Sequence, residues 1–303
     1  MTRALHVVEP GLLTTVQDLG RPGWGAWGVP ASGALDVEAL RLANGLVGNP
    51  PGAAALEITL TGPVFKAEGD FDVAVVGGPF GAAPGEVIPV RDGHTISLAA
   101  GPGAVRAIFA VGGGIDVPPV LGSRSTCVSA RFGGFLGRGL QRGDFVPVGA
   151  PAAAPLPGRA NVPRPPFGDV VLRALPGPQE DLFESDARYA FWSGQYEILP
   201  ESNRMGIRLR GDSLGFVETA GFPSEGTAPG SVQITAEGQP IVLLAERPTT
   251  GGYPKIATIA AVDVGLLVRT APGRFVRFER ISAEKARSLL AERERDSREE
   301  RAR

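Results

Sequence analysis

IVLLAERPTTGGYPKIATIAAV, residues Ile241 to Val262, reads as two apolar runs separated by a polar turn rich in glycine. Ile241 to Ala245 and Ile256 to Val262 each have the length and the β-branched content of a buried strand. Between them stand Thr249, Thr250, Gly251, Gly252, Tyr253 and Lys255. Glycine permits positive φ and close approach of a ligand. Successive amides of such a turn can form an anion-binding nest, threonines add hydroxyls, and lysine adds a compact charge with three donors. The stretch suits a cradle for a carboxylate, carbamoyl or phosphate group. It equally suits a glycine-rich hairpin whose threonines satisfy their own backbone.

The same strand–turn–strand grammar recurs along the chain and sets the fold class. The 303 residues include 43 glycines and 28 prolines while remaining 43% hydrophobic. That combination predicts many short strands joined by tight turns, an all-β protein with a few short helices. Strands are expected at Leu5–Glu9, Leu13–Val16, Leu56–Leu60, Phe71–Val76, Thr95–Leu98 and Val105–Val111. In the second half they are expected at Val170–Leu175, Tyr196–Leu199, Ile207–Leu209, Val232–Ile234, Leu266–Arg269 and Phe275–Phe278. Helical spacing appears at Leu35–Leu46, with Asp36 and Glu38 at its start and Gly48-Asn49-Pro50-Pro51 as its stop. A shorter helical piece is expected around Glu180–Phe183. A Pro/Ala-rich linker over 151–166 separates an N-terminal domain, 1–150, from a C-terminal one, 167–281. A charged tail, 282–303, starts as a short helix capped by Ser282 and then frays.

Charge and rare residues narrow the chemistry. The net charge of −2 gives no bulk attraction to nucleic acid or anionic membrane. Cys127 is alone, and His6 and His94 are not at metal-ligand spacing, so no metal site is evident. No G-x-S-x-G elbow and no phosphate-loop or dinucleotide fingerprint is present. Met1 to Pro10 lacks an apolar signal region and no run is long enough to span a bilayer, so a soluble cytoplasmic protein is expected.

Two further stretches stand out. TVQDLGRPGWGAWGVPASGALD, Thr15 to Asp36, sets Gln17, Asp18, Arg21 and Ser32 among glycines and two tryptophans. It reads either as a loop packed by its own tryptophans or as a binding loop. GSRSTCVSARFGGFLGRGLQRGD, Gly122 to Asp144, spaces Arg124, Arg131, Arg138 and Arg142 among glycines. Those arginines form either an anion-binding or intersubunit patch or four solvated side chains.

Together with PGPQEDLF, SNRMGIRLRG, SEGTAPGSVQ and TTGGYPKIA, these motifs give the chain a resemblance to a known family. It resembles the KipA-like proteins, also called allophanate hydrolase subunit 2 or biotin-dependent carboxyltransferase-domain proteins. The likeness runs from about Val8 to about Phe278. It implies two cyclophilin-like β-barrel domains and work in a hetero-oligomer with a KipI-like protein and a LamB/YcsF-like protein. It implies the ATP-dependent opening of 5-oxo-L-proline to L-glutamate, with the ATP-binding component undetermined and a small amide or lactam as substrate. The resemblance also suggests roles. Gln17, Arg21, Arg204, Thr249, Thr250, Gly251, Gly252 and Tyr253 would bind substrate oxygens, Lys255 would stabilise charge, and Asp18 or Glu225 would accept protons. The early and late glycine-laced segments would then share one mouth. Two other readings stay open. One is a carboxyltransferase supplied with biotin by another protein, since no AMKM-like biotinylation site occurs here. The other is a non-catalytic antagonist of a KipI-like kinase inhibitor. In one place the sequence departs from the family pattern. Where related turns carry a glutamine before the threonines, this one has Pro248, which offers neither a side-chain amide nor an N–H.

Overall fold

Alternating apolar residues, interrupted every few positions by glycine or proline, build sheets in both of the units into which the chain divides. The computed structural model describes residues 3–81, 83–156, 162, 166, 168–215 and 223–302. One unit comprises Met1–Gly23 and Ala31–Pro165, the other Trp24–Pro30 and Pro166–Arg303. Of the expected linker, 151–156 fall in the first unit, and 157–161 and 163–165 lie outside the described residues.

The first unit contains β1 (Ala4–Glu9), β2 (Leu13–Gln17), α1 (Val37–Leu46), β3 (Ala55–Thr59), β4 (Val64–Glu68), β5 (Phe71–Gly77), β6 (Val87–Val90), β7 (Thr95–Ser97), β8 (Arg106–Val111) and β9 (Phe145–Pro147). They pair into two sheets, β7-β4-β1-β9 and β2-β3-β8-β5-β6. Leu5, Val7 and Phe65 of the first sheet share a core with Leu56, Ile58, Val75 and Phe109 of the second. The other face of the second sheet, with Ala55, Ala74, Val76, Ile108 and Ala110, is covered by Ala39, Leu40, Ala43 and Leu46 of α1. Burial on both faces explains why β8 reads as an unbroken apolar run rather than an alternating one. The Asp36 side chain caps α1 by accepting from the Ala39 amide at 3.1 Å. The stop comes at Gly48, whose φ of +72° and close approach to the Ala153 carbonyl leave no room for a Cβ.

Three of the four mid-chain arginines are engaged in ion pairs, and Arg131 is exposed. Arg124 pairs with Asp116, Arg138 with Asp144, and Arg142 with Glu9. The Arg138–Asp144 pair closes the turn into β9: two guanidinium N–H groups donate to the carboxylate at 2.7 and 2.8 Å, and the Gln141 amide donates at 2.7 Å. The hydrogen bonds from Arg138 hold the Asp144 carboxyl below its ordinary pKa. A depressed folded-state pKa stabilises the fold above the unfolded value, about 3.9, and that stability disappears as pH falls through the folded value. Asp144→Asn is therefore expected to cost about 2 kcal/mol at neutral pH. The gap to wild type should close at progressively more acidic pH below about 4, as read by denaturant titration over a pH series.

The second unit contains β10 (Val170–Pro176), α2 (Ser185–Ser193), β11 (Tyr196–Ile198), β12 (Gly206–Arg210), β13 (Glu225–Gly226), β14 (Ser231–Ile234), β15 (Pro240–Leu243), β16 (Thr250–Gly251), β17 (Lys255–Ile259), α3 (Ala261–Arg269), β18 (Phe275–Arg280) and α4 (Ala283–Ala302). Seven strands close into a barrel in the order β10-β17-β14-β15-β12-β11-β18, while β13 and β16 make a separate two-stranded ribbon. The parallel pairing of β10 with β18 completes the ring. Closure by strand pairing is thus a property of this unit, whereas the first unit encloses its core between two sheets.

Several expected elements differ. The run Ile256–Val262 is strand only to Ile259, and Ala261–Arg269, part of which reads as a strand, is helical. A buried apolar run has no alternation to separate the two states. Asp263 anchors this helix by accepting from the Arg173 amide at 2.8 Å and from its Nε at 2.9 Å. The piece at Glu180–Leu182 is a single 3-10 turn, and α2 follows it. Phe191 of α2 stacks on Phe278 with ring centroids 4.6 Å apart. The tail is one helix over Ala283–Ala302 rather than a short frayed one, and the Ser282 hydroxyl does cap it, accepting from the Lys285 amide.

Candidate active site

The turn of residues 246–254 is not a hairpin. β15 pairs with β14 and β12, and β17 pairs with β14 and β10, so the chain crosses the end of β14 between them. On the way it forms the β13–β16 ribbon, with Glu225 opposite Gly251 and Gly226 opposite Thr250. The Thr227 amide donates to the Thr249 carbonyl at 3.1 Å, and the Thr227 hydroxyl donates to the Pro248 carbonyl at 2.5 Å. Pro248 thus contributes the one backbone group that proline retains. Gly251 is not at positive φ; a Cβ there would sit 2.8 Å from the end of the Gln233 side chain.

Lys255 is the first residue of β17, not part of the turn. The ladder from β14 slips there, with Val232 opposite Ala257 but Gln233 opposite Lys255. Such a bulge bends a strand and re-aims side chains. The Lys255 side chain is 6% exposed and its ammonium donates to Glu225 Oε1, on a side chain that is 41% exposed. A buried cation is thereby held against a carboxylate that meets solvent. Gln179 lies between them: its Nε2 donates to the same Glu225 Oε1 at 2.6 Å, and its Oε1 accepts from the Lys255 amide at 3.1 Å. Gln233 donates to the Tyr253 carbonyl at 3.1 Å, steadying the turn from the other side. Thr250, Gly252 and Tyr253 are exposed, Thr249 and Gly251 half-buried. The hydroxyls of Thr249, Thr250 and Tyr253, and Glu225 Oε2, make no hydrogen bond to another described residue. Donors and one acceptor are therefore left available around a fixed charge pair.

Arg204 stands behind this group. Its Nε donates to Glu246 Oε1 at 2.6 Å, with both side chains buried, and the Glu246 amide donates to the Arg204 carbonyl at 3.0 Å. The pair ties the turn before β12 to the turn after β15, so Arg204 supports the site from within the core.

Asp18, Gln17 and Arg21 belong to the first unit. Asp18 is a hub: its carboxylate accepts from the Ser123 hydroxyl at 2.6 Å, the Ser125 hydroxyl at 2.5 Å, the Gly20 amide at 2.7 Å and the Arg124 amide at 2.6 Å. Gln17 is buried and donates to the Thr126 carbonyl at 3.2 Å. Arg21 is 1% exposed, donates to the Ser125 carbonyl, and lies over the Phe132 ring at 4.7 Å. These three side chains pin the early motif to the mid-chain motif. Trp27 does not pack the early loop, being 78% exposed, whereas Trp24 is 38% exposed.

The sequence-named residues Glu225, Thr249, Thr250, Gly251, Tyr253 and Lys255 come together on the second unit. Gln179 and Gln233 were not singled out by the sequence, although both lie inside quoted motifs. A cavity of the first unit, about 380 Å³, is lined by Arg3, Asp72 and Arg91 among others. The three guanidinium nitrogens of Arg3 go to the carbonyls of Asp70, Gly149 and Gly112, so this cavity is walled by structural contacts. Among the described residues no cluster of His, Cys, Asp and Glu suits a metal ion, and no helix is long and apolar enough to cross a membrane.

Comparison with known proteins gives consistent results. Residues 27–280 match the family described as carboxyltransferase domain, subdomain A and B. The chain is 39% identical over 289 residues to a 5-oxoprolinase subunit of Escherichia coli (strain K12), covering 93% of each. It is 33% identical over 292 residues to a 5-oxoprolinase subunit of Haemophilus influenzae, covering 94% of each. Among solved structures it is similar to the urea carboxylase of Kluyveromyces lactis, with a TM-score of 0.92 at 30% identity, covering 98% of this chain and 29% of that one. The chain thus spans less than a third of that structure's length.

Proposed function

The chain belongs to the carboxyltransferase-domain family, and from that premise we propose that it is one component of a 5-oxoprolinase complex that opens 5-oxo-L-proline to L-glutamate. The observation that carries this reading is the 39% identity to the Escherichia coli 5-oxoprolinase subunit over 93% of both chains. The complex uses ATP as its driving force, is cytoplasmic, and includes a KipI-like and a LamB/YcsF-like protein; this chain alone is inactive. Opening the lactam adds water across the ring C–N bond: the carbonyl carbon gains the water oxygen and the ring nitrogen gains a proton. Negative charge collects on the amide oxygen on the way, and fixed donors there lower the barrier. Lys255 supplies the positive charge. Thr249, Thr250 and Tyr253 supply hydroxyls, with Gly251 and Gly252 admitting close approach. Glu225 Oε2, half-exposed and without a described partner, takes the proton of the attacking water. Arg204 acts as a positioning residue, while Asp18, Gln17 and Arg21 order the early and mid-chain motifs of the first unit.

The test is coexpression with the two partner proteins. Copurification and ATP-dependent glutamate release from 5-oxoproline are expected. Elution of this chain by itself, with an inert mixture, would overturn the reading. A second reading rests on the 0.92 TM-score to a urea carboxylase: transfer of a carboxyl group from a biotinyl carrier protein to an amide. Carboxylated product in place of glutamate, appearing only when that carrier is added, would favour it.

A further inference from the structure

We infer that Gln179 is a positioning residue that assigns different tasks to the two oxygens of Glu225, leaving Oε2 as the reacting one. The activity side of this inference rests on the lactam-opening reading; the geometric side does not.

Gln179 sits where β10 has ended and the chain turns through Gly177-Pro178. The Gly177 amide donates to the Ile256 carbonyl at 2.8 Å, and the Gln179 amide to the Lys255 carbonyl at 3.3 Å. Gly177 allows this proximity, because a Cβ there would lie 2.1 Å from the Lys255 carbonyl oxygen. The backbone ladder from β10 to β17 stops at Pro176 opposite Ala257. Beyond it the side chain of Gln179 takes over, with Oε1 accepting from the Lys255 amide at 3.1 Å as a strand carbonyl would. That bond fixes which way the amide faces. An amide oxygen cannot donate and an amide nitrogen cannot accept, so Nε2 must point away from the Lys255 N–H. It points to Glu225 Oε1 at 2.6 Å, the atom that also receives the Lys255 ammonium. Oε1 is thereby doubly engaged and serves as the anchor. Oε2 takes no bond from a described residue and remains open to a substrate water. An unclasped glutamate would rotate about its terminal torsion, which is broad and two-fold, and exchange the two oxygens. The clasp removes that freedom.

Two replacements separate the two halves of the clasp. Gln179→Glu keeps an acceptor for the Lys255 amide but sets a carboxylate against Glu225 in place of a donor. Gln179→Met keeps the side-chain length and removes both groups. In the assembled complex, each is expected to lower kcat about 10- to 100-fold with KM unchanged within about twofold, the signature of a misplaced reacting group. In a Glu225→Gln background, Gln179→Met should cost less than about twofold, because the two act as one unit. Independently, amide hydrogen exchange on the isolated full chain should show the Lys255 amide about tenfold less protected in Gln179→Met and near wild type in Gln179→Glu, with Ile256–Ile259 unchanged. Unchanged Lys255 protection in Gln179→Met, or full kcat in both variants, would overturn the clasp. If the wild-type complex fails to release glutamate while the exchange pattern appears as described, the clasp stands and the reaction assignment falls.

Discussion

Lys255→Met in the assembled complex is expected to reduce kcat for glutamate release by about 10²- to 10³-fold, the cost of removing one preorganised donor at a developing oxyanion. Methionine retains the unbranched stem that fills the buried part of the site and discards only the ammonium. The residue left behind, Glu225, is 41% exposed, so it keeps solvent as a partner and the barrel keeps its fold. The loss should therefore appear in turnover and not in complex assembly, judged by size exclusion beside wild type. Activity within about threefold of wild type would mean that the charge at β17 is not used in the reaction.

The largest stability effect belongs to Glu246. Its pairing with Arg204 at 2.6 Å is buried on both sides, with the Arg204 and Glu246 side chains 4% and 2% exposed. Removing one member of such a pair takes a carboxylate at 2.6 Å away from a guanidinium buried in the core, which typically costs about 3–5 kcal/mol. Against a usual stability of about 5–15 kcal/mol that is a large fraction. Glu246→Ala should lower the melting temperature by about 10 °C, measured by calorimetry. The double replacement Arg204→Met with Glu246→Leu should recover most of it, because an apolar pair carries no desolvation penalty. A melting temperature within about 2 °C of wild type in the single variant would show that the pair does not hold the two turns together.

How much of this was legible in advance follows from where each signal resides. Strands bounded by glycine or proline announce themselves locally: Phe71–Val76 is read and Phe71–Gly77 is found, Val105–Val111 is read and Arg106–Val111 is found. Helix α3 does not announce itself, since Val262, Leu267 and Val268 are buried in a run with no polar face to mark a period. Helix α2 escapes for the opposite reason: Ala187 and Phe191 are its buried residues, too few to set a pattern. The length of α4 rests on local interactions between charged and polar side chains, such as Ser288 with Glu292 and Arg287 with Glu284, which apolar spacing does not report.

The site divides in the same way. Lys255 and the threonines lie in one short motif and are visible as a group. The meeting of Lys255 with Glu225 spans 30 positions and is made by the β13–β16 ribbon, which sets Glu225 opposite Gly251 just before β17 begins. Gln179 is 76 residues from the amide it accepts from, and nothing in PGPQEDLF marks it above its neighbours. Asp18 was readable as a polar residue in a conspicuous loop. Its four donors come from its own turn and from Ser123, Arg124 and Ser125, more than a hundred residues away, and only the fold brings them to it.

The most direct measurement of the central claim is the initial rate of ATP-dependent glutamate formation from 5-oxoproline by the complex carrying Glu225→Gln. Glutamine keeps the side-chain length and the anchor to Gln179 and Lys255 but has no carboxylate oxygen to accept a proton. The complex is expected to assemble normally and to turn over at about 1% of the wild-type rate or less. A Glu225→Gln complex that releases glutamate at the wild-type rate would contradict the assignment of this barrel site to the reaction.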